Sequence, residues 1–106
     1  MKFYIDISIF SEENGAYGNI TGDLELSLPP QIGDVVSFSF AANNKSIILP
    51  ASFDGFLTVT DRVISANMDD KRILISLSDI MVPTREHALK VADYFELAFD
   101  LFLDVY

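Results

Sequence analysis

The sequence predicts an α+β domain, in which a small antiparallel β-barrel or strongly bent sheet of about six strands precedes one long C-terminal α-helix. Two observations lead to this prediction. Up to residue 82, apolar and polar residues alternate in several short segments that are separated by turn residues. From residue 84 onward, apolar residues recur at spacings of three and four, which is typical of a helix.

The chain is short and acidic. It has 106 residues, with 16 acidic against 7 basic side chains and a formal net charge of −9. A chain of this length can bury a core as one domain, so we assign residues 1–106 to a single domain, β-rich at 1–82 and helical at 84–105. The charge favours a basic partner and disfavours binding to nucleic acid or to anionic membranes.

Alternation places the strands in order along the chain. Residues 2–10 and 19–28 flank an Asn14-Gly15 turn and are expected to pair as an antiparallel hairpin. Pro29-Pro30 then removes two backbone donors and ends the second strand. Further strands are predicted at 35–41, 47–49, 57–64 and 72–78, with a β-bulge near Asp61, where the alternation slips.

The segment after these prolines resembles the small SH3-like barrels. The resemblance is carried by Pro29-Pro30-Gln31-Ile32-Gly33-Asp34-Val35-Val36, by Gly55-Phe56-Leu57-Thr58-Val59 and by Arg62. In such barrels, a proline-glycine-aspartate turn opens a strand, and a second glycine begins the strand that pairs with it. The resemblance spans residues 29–62 and implies an SH3-like fold, but it implies no function.

The predicted helix is the most informative element. Thr84 is a good N-cap, Glu86 lies in the first turn, and neither glycine nor proline occurs at 84–106. Apolar residues cover roughly two-thirds of its circumference. Since one face of a flat sheet would leave part of this surface exposed, we expect it to be covered by a curled sheet of the same domain, by a second copy or by another partner.

Cysteine and histidine, which serve many enzymes as metal ligands, nucleophiles or general bases, are absent or rare in this chain. The chain has no cysteine, and its one histidine, His87, is expected to be a surface or capping residue. Disulfides, thiolate zinc sites and cysteine nucleophiles are therefore excluded. We predict no catalytic residue, no metal site and no cofactor. Residues 1–6 reach a charged side chain before an apolar signal could form, so we expect a cytoplasmic protein.

Four phenylalanines in the β-rich part have two interpretations, as core residues or as a base-stacking surface. Stacking on single-stranded nucleic acid needs a positive groove, which scattered basic residues do not provide. We therefore predict that these side chains belong to the core: Phe38, Phe40, Phe53 and Phe56.

The leading functional hypothesis is a non-catalytic protein-interaction or adaptor domain that forms a homodimer through the apolar helix or binds another, basic protein. An acidic inhibitor or immunity-type protein that masks a basic active site is a narrower form of it, since complementary charge speeds encounter. The expected interaction surface has an apolar and an acidic part. It consists of Tyr94, Ala98, Leu101, Val105, Asp93, Glu96, Asp100 and Asp104.

The alternative is a small-ligand-binding domain or a minor enzyme, with an apolar pocket between the barrel and the helix. Tyr94, Tyr106 and Asp61 are its first candidate residues. A large enclosed cavity with an ionisable side chain facing into it would favour this alternative, and a filled core would not.

Overall fold

A computed structural model describes residues 2–39, 47–66 and 73–106. It contains seven strands and one helix, which confirms the α+β class. In chain order, the elements are β1 (Lys2–Ser11), β2 (Gly15–Glu25), β3 (Val35–Ser37), β4 (Phe56–Val63), β5 (Leu74–Leu77), β6 (Ile80–Val82), α1 (Arg85–Phe99) and β7 (Phe102–Val105).

The seven strands form one mixed sheet that is not closed. Their order is β3-β4-β5-β1-β2-β7, with β6 also pairing with β1. Strand β1 is antiparallel to β2 but parallel to both β5 and β6. Of the two predicted forms, a barrel or a strongly bent sheet, the closed barrel is therefore wrong, and so is the prediction that all strands are antiparallel. The SH3-like resemblance is not confirmed. Alternation indicates which face a residue occupies, but it carries no information on the direction of the neighbouring strand.

The predicted antiparallel hairpin is confirmed, although its second strand begins at Gly15 and ends at Glu25 rather than covering residues 19–28. Strands β1 and β2 pair from Lys2↔Glu25 to Ser11↔Gly15, with a register shift between Ile9 and Phe10. Gly15 has φ +77°, a conformation that glycine adopts readily. The inward side chains of β1 are all buried, and they form the middle of the core: Phe3, Ile5, Ile7 and Ile9.

The other strand predictions have mixed outcomes. A register shift between Val59 and Asp61 confirms the bulge in β4. Residues 47–49 do not form a strand, and β3 ends at Ser37. Strand β6, which alternation did not predict, has only three residues beside Pro83. Residues 40, 41 and 72 of the predicted strands lie outside the described residues.

The predicted start of the helix is confirmed. The backbone N–H of His87 donates to Thr84 Oγ1 over 3.2 Å, so Thr84 is the N-cap. His87 Nδ1 also lies 2.7 Å from that hydroxyl oxygen, which places the histidine in the cap as predicted. Glu86 is in the first turn, near the positive end of the helix dipole.

The predicted end of the helix, at residue 105, is wrong. Helix α1 stops at Phe99 because Asp100 takes a left-handed conformation, with φ 57°, and its N–H donates to Glu96 O over 3.1 Å. Residues 102–105 then form β7, which pairs antiparallel with residues 18–21 of β2. Their apolar spacing suits a helix or a strand. As a strand, they also pair with the outer backbone groups of β2, which a longer helix would not reach.

Gly18 allows this close approach of β7 to β2. A Cβ at this position would lie 2.6 Å from the backbone oxygen of Asp104, although the backbone of Gly18 itself is not left-handed. We expect Gly18→Ala to lower the free energy of unfolding by about 1 kcal/mol, because only an edge strand has to move.

Hydrogen exchange checks this expectation locally. The amides of Phe102 and Asp104 should exchange faster in Gly18→Ala, while those of α1 keep their protection. Unchanged exchange in β7 would contradict the close packing of these two strands.

The helix is buried on the side that faces the sheet, whereas Leu89 and Leu97 on its other side are exposed by 47% and 59%. Its fully buried residues include Ala88, Val91, Ala92 and Phe95, which pack with the inward side chains of the strands. Of the four phenylalanines expected in the core, Phe38 and Phe53 are buried, Phe56 is 52% exposed, and Phe40 lies outside the described residues.

Candidate binding groove

The structure places three residues of the predicted interaction surface inside the core. Tyr94, Ala98 and Leu101 are exposed by only 2%, 0% and 3%. In the folded chain these three side chains pack within the core and do not contribute to its exposed surface. The physical reason is that the curved sheet covers a wider arc of the helix than one flat face would.

The other five residues of that surface are exposed or half-exposed but do not form one helical stripe. Asp93 and Glu96 lie on the exposed side of α1, whereas Asp100 follows its last residue. Asp104 and Val105 belong to β7. Of the four predicted acidic residues, Asp93 and Glu96 are therefore on the helix, Asp100 is its C-cap and Asp104 lies on β7.

The three candidates for a catalytic or ligand pocket do not meet. The hydroxyl of Tyr94 donates to the backbone oxygen of Phe38 inside the core, and burial raises the pKa of this phenol. Tyr106 is 69% exposed and is held by its N–H, which donates to Tyr17 O over 3.0 Å. Asp61 is exposed on β4. Tyr106 lines a small cleft beside Ser11 and Arg85, and among the described residues neither Tyr94 nor Asp61 contributes to that cleft.

A cleft of about 710 Å³ opens at the C-terminal end of α1. Phe99 and Asp100 contribute to it from the helix, Val36 from β3 and Phe102 from β7. Strands β3 and β7 stand at opposite ends of the pairing order, so the sheet curves far enough to bring its two edges to one cleft.

A second cleft, of about 320 Å³, continues the first. It lies between residues 26–30, which follow β2, and residues 34–37, which include β3. Leu26, Val36 and Ser37 line both clefts, so the two form one elongated depression. We call this depression the seam groove.

The floor of the seam groove is apolar and continues into an aromatic cluster. Phe38 lines the groove, and its ring centroid lies 5.1 Å from that of Phe95 and 5.2 Å from that of Phe99, both in edge-to-face geometry. Phe53 and Tyr94 extend the cluster deeper into the core. A floor that packs on rigid aromatic rings keeps its shape when the groove is empty.

The sides of the groove are mainly acidic. One lysine, Lys2, lines it. Its carboxylate side chains are Asp23, Glu25, Asp34 and Asp100. An apolar floor with an acidic border suits a ligand that has apolar groups and positive charge. Within residues 2–39, 47–66 and 73–106, no group of three or more histidine, aspartate or glutamate side chains could hold a metal ion.

Sequence reasoning missed this groove because its walls are far apart in the chain. Two local signals pointed toward it. Pro29-Pro30 lies in the segment that follows β2, and the nearby apolar side chains of Leu28, Ile32 and Val35 are exposed by 74%, 65% and 62%. Exposed apolar residues beside a strand end are informative only once their neighbours are known.

Comparisons with protein-family models, with curated proteins and with solved structures found no match to this chain. In the part of the chain that the structure describes, no helix is long and apolar enough to cross a membrane.

Proposed function

We propose that this chain is a non-catalytic protein-interaction domain that binds a basic segment of another protein in the seam groove. The observation that carries this proposal is the combination of an apolar floor with a border on which, among the described residues, four carboxylates lie beside one lysine. The chain's net charge of −9 acts in the same direction, because it attracts a basic partner from a distance.

The shape of the groove favours a chain segment over a small molecule. Small-ligand sites enclose most of their ligand, whereas the seam groove is an elongated depression made of two joined clefts. The core beneath it is filled by the packed rings of Phe38, Phe95 and Phe99. This arrangement supports the binding-domain hypothesis over the ligand-binding or enzymatic alternative.

An inhibitor or immunity-type role is a narrower form of this proposal. In that role, the acidic groove would cover a basic site on another protein and prevent its use. Because the attraction is electrostatic, the association rate should fall strongly as salt is added. Capture of the partner that is insensitive to salt would count against this form.

Self-association is a second candidate, supported by strand β7. This edge strand and the residue after it expose three large side chains, Phe102 at 69%, Val105 at 54% and Tyr106 at 69%. A second copy could pair along the same edge in a symmetric dimer. Sedimentation equilibrium separates this candidate from a monomer that binds other proteins.

Charge reversal in the groove tests the main proposal. The probe is a short fluorescein-labelled peptide of alternating lysine and valine, with a glutamate-valine peptide as its negative control. We expect Glu25→Lys to weaken binding of the lysine peptide by about tenfold, since it replaces attraction by repulsion. Fluorescence anisotropy measures the change.

Asp93→Lys is the matched control variant. It makes the same change of charge on the exposed side of α1, outside the residues that line the groove. Binding should therefore change little. Equal weakening by the two variants would indicate a general effect of net charge and would overturn the proposed site, as would a wild-type chain that does not bind the lysine peptide.

A further inference from the structure

The backbone of β3 has one hydrogen-bonded side and one open side. Val59 N donates to Asp34 O over 2.8 Å, and Phe38 N donates to Gly55 O. Backbone groups alternate in direction along a strand, so the N–H and C=O groups of Val35 and Ser37 point away from β4. In the described part of the chain, β3 is the last strand at this end of the sheet.

The open side of β3 faces the seam groove. Val35 and Ser37 are exposed, and both line the cleft between β3 and residues 26–30. The opposite wall contains Pro29 and Pro30, which have no N–H to donate. The chain after β2 therefore cannot complete a regular ladder with β3, and the seam between them remains open.

Strand β3 carries none of the residue types that commonly block a sheet edge. Exposed edges are commonly blocked by lysine, by proline or by an inward charge. The sequence here is Val35-Val36-Ser37, which contains none of these and includes two residues that favour strands. An edge of this kind is suited to pairing with an added strand.

We propose that the basic segment binds as an additional β-strand, paired with the open side of β3 in the seam groove. This inference rests on the proposed function and specifies how the partner is recognised. Val35 and Ser37 exchange backbone hydrogen bonds with the segment. Its side chains alternate, so that apolar ones contact the half-buried Val36 and Phe99 and basic ones lie near carboxylates such as Glu25.

The partner therefore belongs to a definable class of sequences. Lysine or arginine alternates with aliphatic residues over a short stretch, and proline is absent from the positions that pair with β3. A basic helix would place its charges at spacings of three and four and could not use the backbone groups of Val35 and Ser37.

Val35→Pro tests the strand pairing directly. Proline removes the N–H that points into the groove, whereas the hydrogen bonds of β3 to β4 use other residues and are kept. We expect Val35→Pro to weaken binding of the labelled lysine-valine peptide by about tenfold. Val35→Ala, which keeps this N–H and shortens the side chain, should weaken it by less than about threefold.

A second measurement uses the wild-type chain and avoids any change in its folding. A lysine-valine peptide that is N-methylated at alternate residues loses the donors that pair with β3 but keeps its charge. It should bind about tenfold more weakly than the unmodified peptide.

The outcomes separate the two proposals. The strand pairing would be overturned if Val35→Pro bound the peptide as tightly as Val35→Ala and the methylated peptide bound as tightly as the unmodified one. If Glu25→Lys still weakened binding in that case, the acidic groove would remain the binding site. If the wild-type chain did not bind the unmodified peptide, both the proposed binding site in the groove and the proposed strand pairing would be overturned.

Discussion

Phe95→Ala is expected to lower the free energy of unfolding by about 3–5 kcal/mol, which is a large part of the stability of a domain this size. Phe95 is fully buried at the centre of the aromatic cluster. Its ring centroid lies 5.1 Å from that of Phe38 and 5.4 Å from that of Phe53. Removal of the ring leaves a cavity that surrounding aromatic side chains cannot fill without leaving their own positions.

Equilibrium denaturation with urea measures this loss, and Leu89→Ala is its control. Leu89 is on the same helix but is 47% exposed, so its truncation should cost less than about 1 kcal/mol. A Phe95→Ala variant as stable as Leu89→Ala would contradict the packing of the helix against the sheet. Because Phe38 and Phe99 pack on Phe95 and line the groove, a variant that still folds should also bind the peptide more weakly.

Tyr94→Phe is expected to lower the free energy of unfolding by about 1–3 kcal/mol, although it removes a single oxygen atom. The hydroxyl of Tyr94 donates to the backbone oxygen of Phe38, and both residues are buried. Without the hydroxyl, that oxygen loses the partner and has little access to water. This bond also ties α1 to the segment that lines the groove.

The same hydroxyl makes the free energy of unfolding depend on pH in the alkaline range. Burial raises the pKa of Tyr94 above its usual value of 10.0, so the folded chain retains this proton at a pH where the unfolded chain releases it. The contribution is fully present below the unfolded pKa and is lost as pH rises through the folded pKa. The free energy of unfolding should therefore fall above about pH 10, and more steeply in the wild type than in Tyr94→Phe.

Denaturation curves recorded between neutral and strongly alkaline pH check this slope. Tyr106→Phe is the control, since Tyr106 is 69% exposed and should leave the stability near neutral pH almost unchanged. Parallel pH profiles for the wild type and Tyr94→Phe would refute the role assigned to the buried hydroxyl.

Local patterns predicted much of the fold. Alternation identified the hairpin of β1 and β2 and the bulge in β4, and cap chemistry located the start of α1 at Thr84. These features depend on residues close together in the sequence. Strand β6 escaped prediction because three residues are too few to establish a period.

The end of the helix shows where local patterns fail. Residues 100–105 contain no glycine or proline, and their apolar spacing is compatible with a helix. The decision depends on β2, where Gly18 leaves space for β7 and residues 18–21 offer partners for its backbone. The energy of that pairing comes from residues more than a helix length away in the chain.

The sequence by itself determined the α+β class, the acidic charge and the start of the helix, because composition and periodicity depend on each residue and its near neighbours. Only the tertiary structure decided where the helix ends and what covers its apolar side chains. The sheet curves around α1 and brings the β3 and β7 edges to one groove, beside Phe99. Sheet curvature and the directions of paired strands follow from long-range packing, which a single-sequence pattern does not record.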